Sequence, residues 1–210
     1  MMMEEPRKPV QLAIFASGRG SNAQKIIDYF SSPAWFSVPL KVEVSLILSN
    51  KPEAGVLDIA KKEKIPFIII EKEKFFRGDV YVDELKKRKI DFIVLAGFLW
   101  KLPPALIQAF PKKIINLHPA LLPRHGGKGM YGTRVHEAVI AAKEPESGIT
   151  IHYVDEQYDH GQIIFQAKCS VSENETPESL EKKIHELEYE NFPKVIGELI
   201  AMQNIVKNKN

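Results

Sequence analysis

Hydrophobic positions along this chain gather into short strand-like runs separated by amphipathic stretches. Strand-like apolar runs occupy residues 10–16, 42–48, 66–70, 91–96 and 113–116, with helical periodicity near 21–30, 54–63, 78–89 and 103–110. Unbroken apolar runs are the mark of strands buried on both faces, and their alternation with helices is the pattern of βαβ units. Residues 148–154 and 162–168 alternate apolar and polar positions on either side of a polar loop, which predicts two further strands antiparallel to each other. Thr176 opens a long helical pattern, with Pro177 at its first position and Glu178 and Glu181 close behind. Pro193 is expected to break or kink that helix before a last turn reaching Val206. The expected fold class is α/β: an open, mostly parallel sheet with helices on both faces, then an antiparallel strand pair and a long C-terminal helix.

Composition narrows the class. A chain of 210 residues fits one domain over 1–210, with 1–9 and 207–210 as flexible tails, and 44% hydrophobic content supplies a sizeable core. The formal net charge of +2 gives no global drive toward nucleic acid or membrane. Lys61-Lys62-Glu63-Lys64 and Lys86-Lys87-Arg88-Lys89 fall at helix C-termini and read as solvated ends. Cys169 is the single cysteine, read as a packed thiol in a reducing compartment. Met1 to Pro9 lacks the features of a signal peptide, and no run approaches the ~20 apolar residues of a membrane span. The expected location is the cytoplasm.

Two segments carry candidate chemistry. Residues 12–22 run from an apolar strand into Ser17-Gly18-Arg19-Gly20-Ser21-Asn22, followed by a helix, an arrangement whose backbone N–H groups can cradle an anion. It is neither a Walker loop nor the dinucleotide G-x-G-x-x-G pattern, since Ala23 stands at the third glycine position. Asn116 and His118 lie two residues apart at the end of another strand, before Pro119 and Pro123. Residues at that spacing share a face, and an amide beside an imidazole suits a carbonyl reaction that develops an oxyanion and exchanges a proton. The glycine loop, Gly97-Phe98 and the Asn116/His118 pair all fall at the C-terminal ends of strands, where open α/β sheets bind ligands. On the residues alone, a tight turn and an ordinary strand end remain open alternatives.

Taken together, Ser17 to Asn22, Leu95-Ala96-Gly97-Phe98, Asn116 to Pro123, Ser147 to His152 and Asp155 to Gly161 resemble the folate-dependent phosphoribosylglycinamide formyltransferases, colinearly over about residues 10–200. The resemblance implies a Rossmann-like sheet and transfer of a formyl group from 10-formyltetrahydrofolate to the amine of N1-(5-phospho-D-ribosyl)glycinamide, a step of de novo purine biosynthesis. By the same resemblance Asn116 is the amide donor, His118 the acid/base group, and Asp159 the carboxylate that orients the imidazole and favours its protonated form. Gly20, Ser21 and Asn22 match the ribonucleotide phosphate site, with Glu188 as a further substrate contact. Leu99, Trp100, Lys101 and Leu102 match a pterin-binding segment. Asp155, Glu156, Gln157, Tyr158 and Asp159 match the loop that closes on the pterin, and Asn116 also borders the folate. The folate is a co-substrate, no metal is implied, and the partners are small molecules, with the chain a monomer or a homodimer.

The chain departs from the family pattern in two places. Arg77 is offset by one from the arginine that contacts folate in the family. The glycine-rich segment Arg124 to Gly132 is longer than its counterpart and reads as a mobile flap, so roles for residues 125–136, His136 included, are not carried over. Methionyl-tRNA formyltransferase and formyltetrahydrofolate hydrolase share the triad, but each is expected to need an extra domain. A binding protein without chemistry would have no use for the Asn116/His118/Asp159 set.

Overall fold

Val10, Leu12 and Ile14 face one layer of the molecule, and Ala13 and Phe15 face the other. This first strand, β1 (Val10–Phe15), lies between β2 and β4 inside a seven-stranded sheet. In the computed structural model the chain is described over residues 8–32, 35, 40–77 and 79–207. The elements follow as α1 (Ser21–Phe30), β2 (Val42–Ser49), α2 (Val56–Lys62), β3 (Phe67–Ile69), α3 (Lys72–Arg77), α4 (Asp79–Lys87) and β4 (Phe92–Leu95). Then come α5 (Pro104–Ala109), β5 (Ile114–His118), α6 (Thr133–Ala141), β6 (Glu146–Tyr153), β7 (Ile163–Ser170) and α7 (Pro177–Lys207). The strand order is β3-β2-β1-β4-β5-β6-β7. The first five strands in that order are parallel, β6 runs antiparallel to β5, and β7 antiparallel to β6.

Helices cover both faces, as the apolar runs require. In α1 the buried residues Ala23, Ile26, Ile27 and Phe30 recur at helical spacing, so one stripe meets the sheet. They join Val56, Leu57 and Ala60 of α2, Val139 of α6, and Leu180, Ile184, Phe192, Val195, Ile196, Leu199 and Ile200 of α7 in one core cluster. The opposite face holds Phe75 of α3, Tyr81, Val82 and Leu85 of α4, and Leu106 of α5. At ~25 cal/mol per Å2 of apolar area, burial on this scale is the main term opposing chain entropy.

Three features depart from the sequence expectations. Helices α3 and α6 were not anticipated: α3 is short and charged, and α6 follows a glycine-rich stretch and buries His136 among its apolar positions. Helix α7 runs through Pro193 without a break, because Phe192, Val195 and Ile196 on either side are buried in the core and hold the backbone helical. Its N-terminus is capped by Thr176, whose Oγ1 accepts from the Ser179 N–H at 3.2 Å. The expected tails at 1–9 and 207–210 lie outside the described residues, apart from Lys8, Pro9 and Lys207, and Lys207 closes α7.

The β5–β6–β7 meander is packed too closely for side chains at some positions. A Cβ on Gly148 would overlap the Ala167 carbonyl of β7 and approach Leu121 Cδ2 to 2.8 Å, whereas one on Gly18 would meet nothing within 4 Å. Gly148→Ala is therefore expected to cost about 2 kcal/mol or more, by urea unfolding, as an overpacking substitution. Gly18→Ala should stay within about 0.5 kcal/mol of the parent. Equal midpoints for the two variants would contradict this packing.

Candidate active site

Strand β5 brings Asn116 and His118 to the edge of the parallel region, and pairing with β6 decides what faces them. Asn116 lies opposite His152 and His118 opposite Thr150. Residues two apart share a strand face, so the pairs Asn116/His118 and Thr150/His152 form a polar square on one face of the sheet. Thr150 is fully buried, donates to the Ala120 carbonyl at 2.6 Å and accepts from the Leu122 N–H at 3.0 Å. Those bonds fix the turn leaving β5. The His152 Nδ1–H donates to the Tyr153 carbonyl at 2.8 Å, which leaves Nε2 to accept from Asn116 Nδ2 at 3.1 Å. The amide is thereby oriented with its donor toward the histidine.

Asp159 completes the group from the loop between β6 and β7. It adopts a left-handed backbone, φ 52°, which directs its carboxylate inward. Oδ2 accepts from the Gly127 N–H at 2.9 Å and lies 3.5 Å from His118 Nδ1. Oδ1 lies 3.4 Å from Asn116 Nδ2 and 3.7 Å from His152 Nε2. The His118 Nε2–H donates to the His125 carbonyl at 2.8 Å. The imidazole thus has an acceptor on each edge, an arrangement that suits the protonated ring.

Electrostatics oppose that preference before substrate arrives. Burial pushes the His118 imidazole below its ordinary range, while the Asp159 carboxylate and the His125 carbonyl push the other way. Burial wins, so the expected rise in His118 basicity is present as the effect of Asp159 but not as the net direction. For Asp159, burial raises the pKa, but contacts with His152, His118 and the Gly127 N–H together hold the carboxyl below the usual range.

A second polar group lies across the β1–α1 loop. Gly20 caps α1 with φ 82°, and no side chain caps that helix end, leaving N–H groups available to an anion. A Cβ on Gly20 would come within 2.8 Å of Val56 Cα, so packing against α2 already requires glycine there. Ser21 is exposed at the start of the helix. Asn22 Nδ2 donates to Glu188 Oε2 at 2.9 Å, tying α1 to α7. Glu188 is buried, and that burial raises its carboxyl pKa against the Asn22 hydrogen bond and the nearby His185. It is not a solvated helix residue. Ser17 ties this loop to the next, since its Oγ accepts the Leu99 N–H at 2.9 Å and its N–H donates to the Gly97 carbonyl at 3.0 Å.

The chain that carries these two groups has known relatives. Residues 10–196 match the formyl transferase family. The chloroplastic phosphoribosylglycinamide formyltransferase of Arabidopsis thaliana is 41% identical over 198 residues, 92% of this chain and 66% of that protein. The Bacillus subtilis phosphoribosylglycinamide formyltransferase is 33% identical over 198 residues, 92% of this chain and 96% of that one. The chain belongs to the phosphoribosylglycinamide formyltransferase family. Solved structures agree: the enzyme from Bacillus halodurans superposes with a TM-score of 0.78 at 36% identity, over 90% of this chain and 95% of that one. The one from Campylobacter jejuni gives 0.80 at 30% identity, over 92% and 98%. The chain spans just under two thirds of the length of the plant relatives and nearly all of the Bacillus subtilis one.

Other residues matched to this family are less uniformly placed. Leu99 is 38% exposed and Lys101 is exposed, while Leu102 is buried in the core beside Leu106 and Phe110. Lys101 Nζ lies 5.9 Å from the Tyr158 ring, linking the 97–102 segment to the 155–159 loop. Asp155 shapes that loop, accepting from the Gln157 N–H and from His160 Nδ1, both at 2.8 Å. Glu156 and Gln157 are exposed. A cavity of about 270 Å3 opens between residues 122–127 and 157–163, with Asp159 in its wall. Helix α3 reaches the 97–102 segment through Phe76, whose ring is 5.6 Å from that of Trp100, and Arg77 is exposed beside it. A larger cavity of about 610 Å3 lies at the opposite end of the sheet and shares no residue with this site.

The segment expected to be a flap is divided. His125 to Gly127 are half-buried and built into the site, while Lys128, Gly129 and Tyr131 are exposed. His136 is buried in α6 and its Nδ1 has no hydrogen-bond partner among the described residues. Cys169 packs against the core, and burial pushes its thiol up, as a packed thiol requires. The site residues that sequence reasoning missed are His152, Thr150, His125 and Gly127. The i, i+2 spacing of Thr150 and His152, repeating that of Asn116 and His118, was the available signal.

Since Asp159 raises the His118 pKa, Asp159→Asn should lower it further. NMR titration of the His118 ring would then show its midpoint moving to lower pH. An unchanged midpoint would dissolve the link between the two residues.

Proposed function

We infer that this chain transfers a formyl group from 10-formyltetrahydrofolate to the amine of N1-(5-phospho-D-ribosyl)glycinamide in purine biosynthesis, with Asn116, His118 and Asp159 as its catalytic residues. The observation that carries this reading is the convergence of amide, imidazole and carboxylate beside an uncapped helix N-terminus. The substrate amine attacks the formyl carbon, forming a C–N bond and placing negative charge on the formyl oxygen. Asn116 Nδ2 donates to that oxygen. One of its hydrogens is held by His152, while the other makes only the long 3.4 Å contact with Asp159, a weak partner that a developing oxyanion can replace. His118 takes the amine proton at Nδ1 and delivers it from there toward the leaving nitrogen, because its Nε2–H is committed to the His125 carbonyl. The 3.5 Å gap between Nδ1 and Asp159 leaves that edge loosely held. Collapse of the intermediate breaks the bond to folate N10, which takes a proton as tetrahydrofolate leaves, and the amine gives up the matching one.

In this reading the α1 N-terminus at Gly20, Ser21 and Asn22 holds the phosphate, and Glu188 accepts from substrate hydroxyls. The folate lies along residues 99–102 and 155–159, near Arg77. The chemistry asks nothing of a metal. The chain acts as a single domain, monomeric or homodimeric, on small molecules in the cytoplasm. Its single cysteine supports that location, and no helix among the described residues is long and apolar enough to cross a membrane.

Purified protein should consume 10-formyltetrahydrofolate only when the ribonucleotide is present. Consumption without it would indicate a hydrolase, and none at all a binding protein. His118→Ala should fold and lose roughly a hundredfold or more in turnover, the range for a missing general acid/base. Near-parental turnover at saturating substrates would remove His118 from the mechanism. Glu188→Ala should raise the KM for the ribonucleotide about tenfold, equivalent to ~1.4 kcal/mol, and leave folate affinity unchanged. Calorimetric titration with each ligand separates the two effects.

A further inference from the structure

Glu144 lies just beyond α6, outside every segment that matches substrate or folate, yet its carboxylate reaches back to the catalytic loop. Its backbone is fixed by the way α6 ends. Lys143 takes a left-handed conformation, φ 52°, its N–H donates to the Ile140 carbonyl at 2.9 Å, and the Glu144 N–H donates to the Val139 carbonyl at 3.3 Å. That pair of bonds is the Schellman termination of a helix, which sets Glu144 at one position relative to α6. A carboxylate next to a helix C-terminus is electrostatically unfavourable, so helix stability does not explain the choice of residue.

What the carboxylate touches does explain it. Oε2 accepts from Arg124 Nη1 at 2.6 Å, and Oε1 is 3.1 Å from His125 Nε2. Arg124 is more than half exposed, so its ion pair is screened and contributes little by itself. His125 is different: its side chain is only 16% exposed, and its backbone is left-handed at φ 56°, a conformation that L-residues adopt at some cost. With two consecutive side chains anchored on one carboxylate, the 124–125 peptide and the His125 Cα are fixed, and the left-handed turn at His125 orients the peptide that follows. The product is a carbonyl aimed at the active site, accepting the His118 Nε2–H at 2.8 Å. Two residues on, the Gly127 N–H holds Asp159 Oδ2. Between them Gly126 is wedged so that a Cβ there would strike Leu122 Cδ2 and approach Asp159 Cβ to 3.3 Å. Residues 125–127 thus position both the imidazole and the carboxylate, and Glu144 braces them from outside.

We propose that Glu144 is a positioning residue for formyl transfer, holding through Arg124 and His125 the carbonyl that fixes the tautomer and orientation of His118. The proposal rests on His118 acting as described above. With Nε2 committed as a donor to His125, the neutral ring presents its lone pair at Nδ1, and proton exchange is confined to that edge. Without Glu144 the 124–126 peptides relax, the carbonyl drifts, and the buried imidazole populates both tautomers.

The test uses the full chain carrying Glu144→Ala and, as the conservative replacement, Glu144→Gln. Glu144→Ala should lower kcat about tenfold with KM for both substrates within about twofold, and Glu144→Gln should recover part of the loss. In a His118→Ala background, Glu144→Ala should cost less than about twofold, because the group it positions is gone. Ring 15N shifts of neutral His118 should report a single Nε2–H tautomer in the parent and a mixture in Glu144→Ala. A kcat within twofold of the parent, an equal loss in both backgrounds, or an unchanged tautomer would each overturn the proposal. If His118→Ala itself left turnover intact, the catalytic reading would fail instead. The tautomer measurement needs no activity and would still decide the role of Glu144.

Discussion

The carboxylate of Asp159 is 12% exposed, and a charge withdrawn that far from water is tolerated only when donors converge on it. Here two donors arrive from separate parts of the chain, the Gly127 N–H and the Asn116 amide, and the Nδ1 edge of His118 lies 3.5 Å away, ready to add a third when the ring is protonated. Each of those groups is in turn fixed by something else. Asn116 is turned by His152, His118 is held by the His125 carbonyl, and Gly127 follows a segment braced by Glu144. The site is therefore a network in which the charge organises neutral neighbours, and those neighbours keep the charge ionised inside the protein.

Burial acts on this network in two opposite ways. It lowers the His118 pKa, so the free site resists the protonated ring that an oxyanion would use. The same burial strengthens any charge that does form, because little water competes with Asp159 and Asn116. In the proposed reaction, attack on the formyl group would create negative charge next to His118, adding to Asp159 in favouring its protonation. The imidazole is thus poised to gain its charge as the reaction develops one of opposite sign.

Much of the fold was legible because its cause is local. The mainly apolar runs of β1 and β5 and the wholly apolar β4 reflect strands covered on both faces, and Ala23, Ile26, Ile27 and Phe30 declare the buried stripe of α1. Helix α6 was not legible, since its short apolar stripe includes His136 and follows a glycine-rich stretch that carries no helical period. Pro193 misled in the other direction: a local rule against proline in helices yields to the buried residues on both sides of it. Glu188 shows the same limit. It occupies the buried stripe of α7 with Leu180, Ile184 and Phe192, a pattern that sequence alone could have flagged as a carboxylate inside the core.

By itself the sequence determined the strands and most of the helices between them, the mostly parallel character of the sheet, the positions of Asn116 and His118 at a strand end and, through its motifs, the family. Those properties follow from side-chain periodicity and from residue identity at fixed spacing, which are written along the chain. Only the tertiary structure decided that His152 faces Asn116, that Asp159 folds back over them, and that His125 and Glu144 stand behind the imidazole. Those contacts join residues up to 43 positions apart, as for Asn116 and Asp159. They are set by the antiparallel register of β5 and β6 and by left-handed turns at His125, Lys143 and Asp159. A register or a turn is selected by the packing of the whole sheet, so no local stretch of sequence contains it.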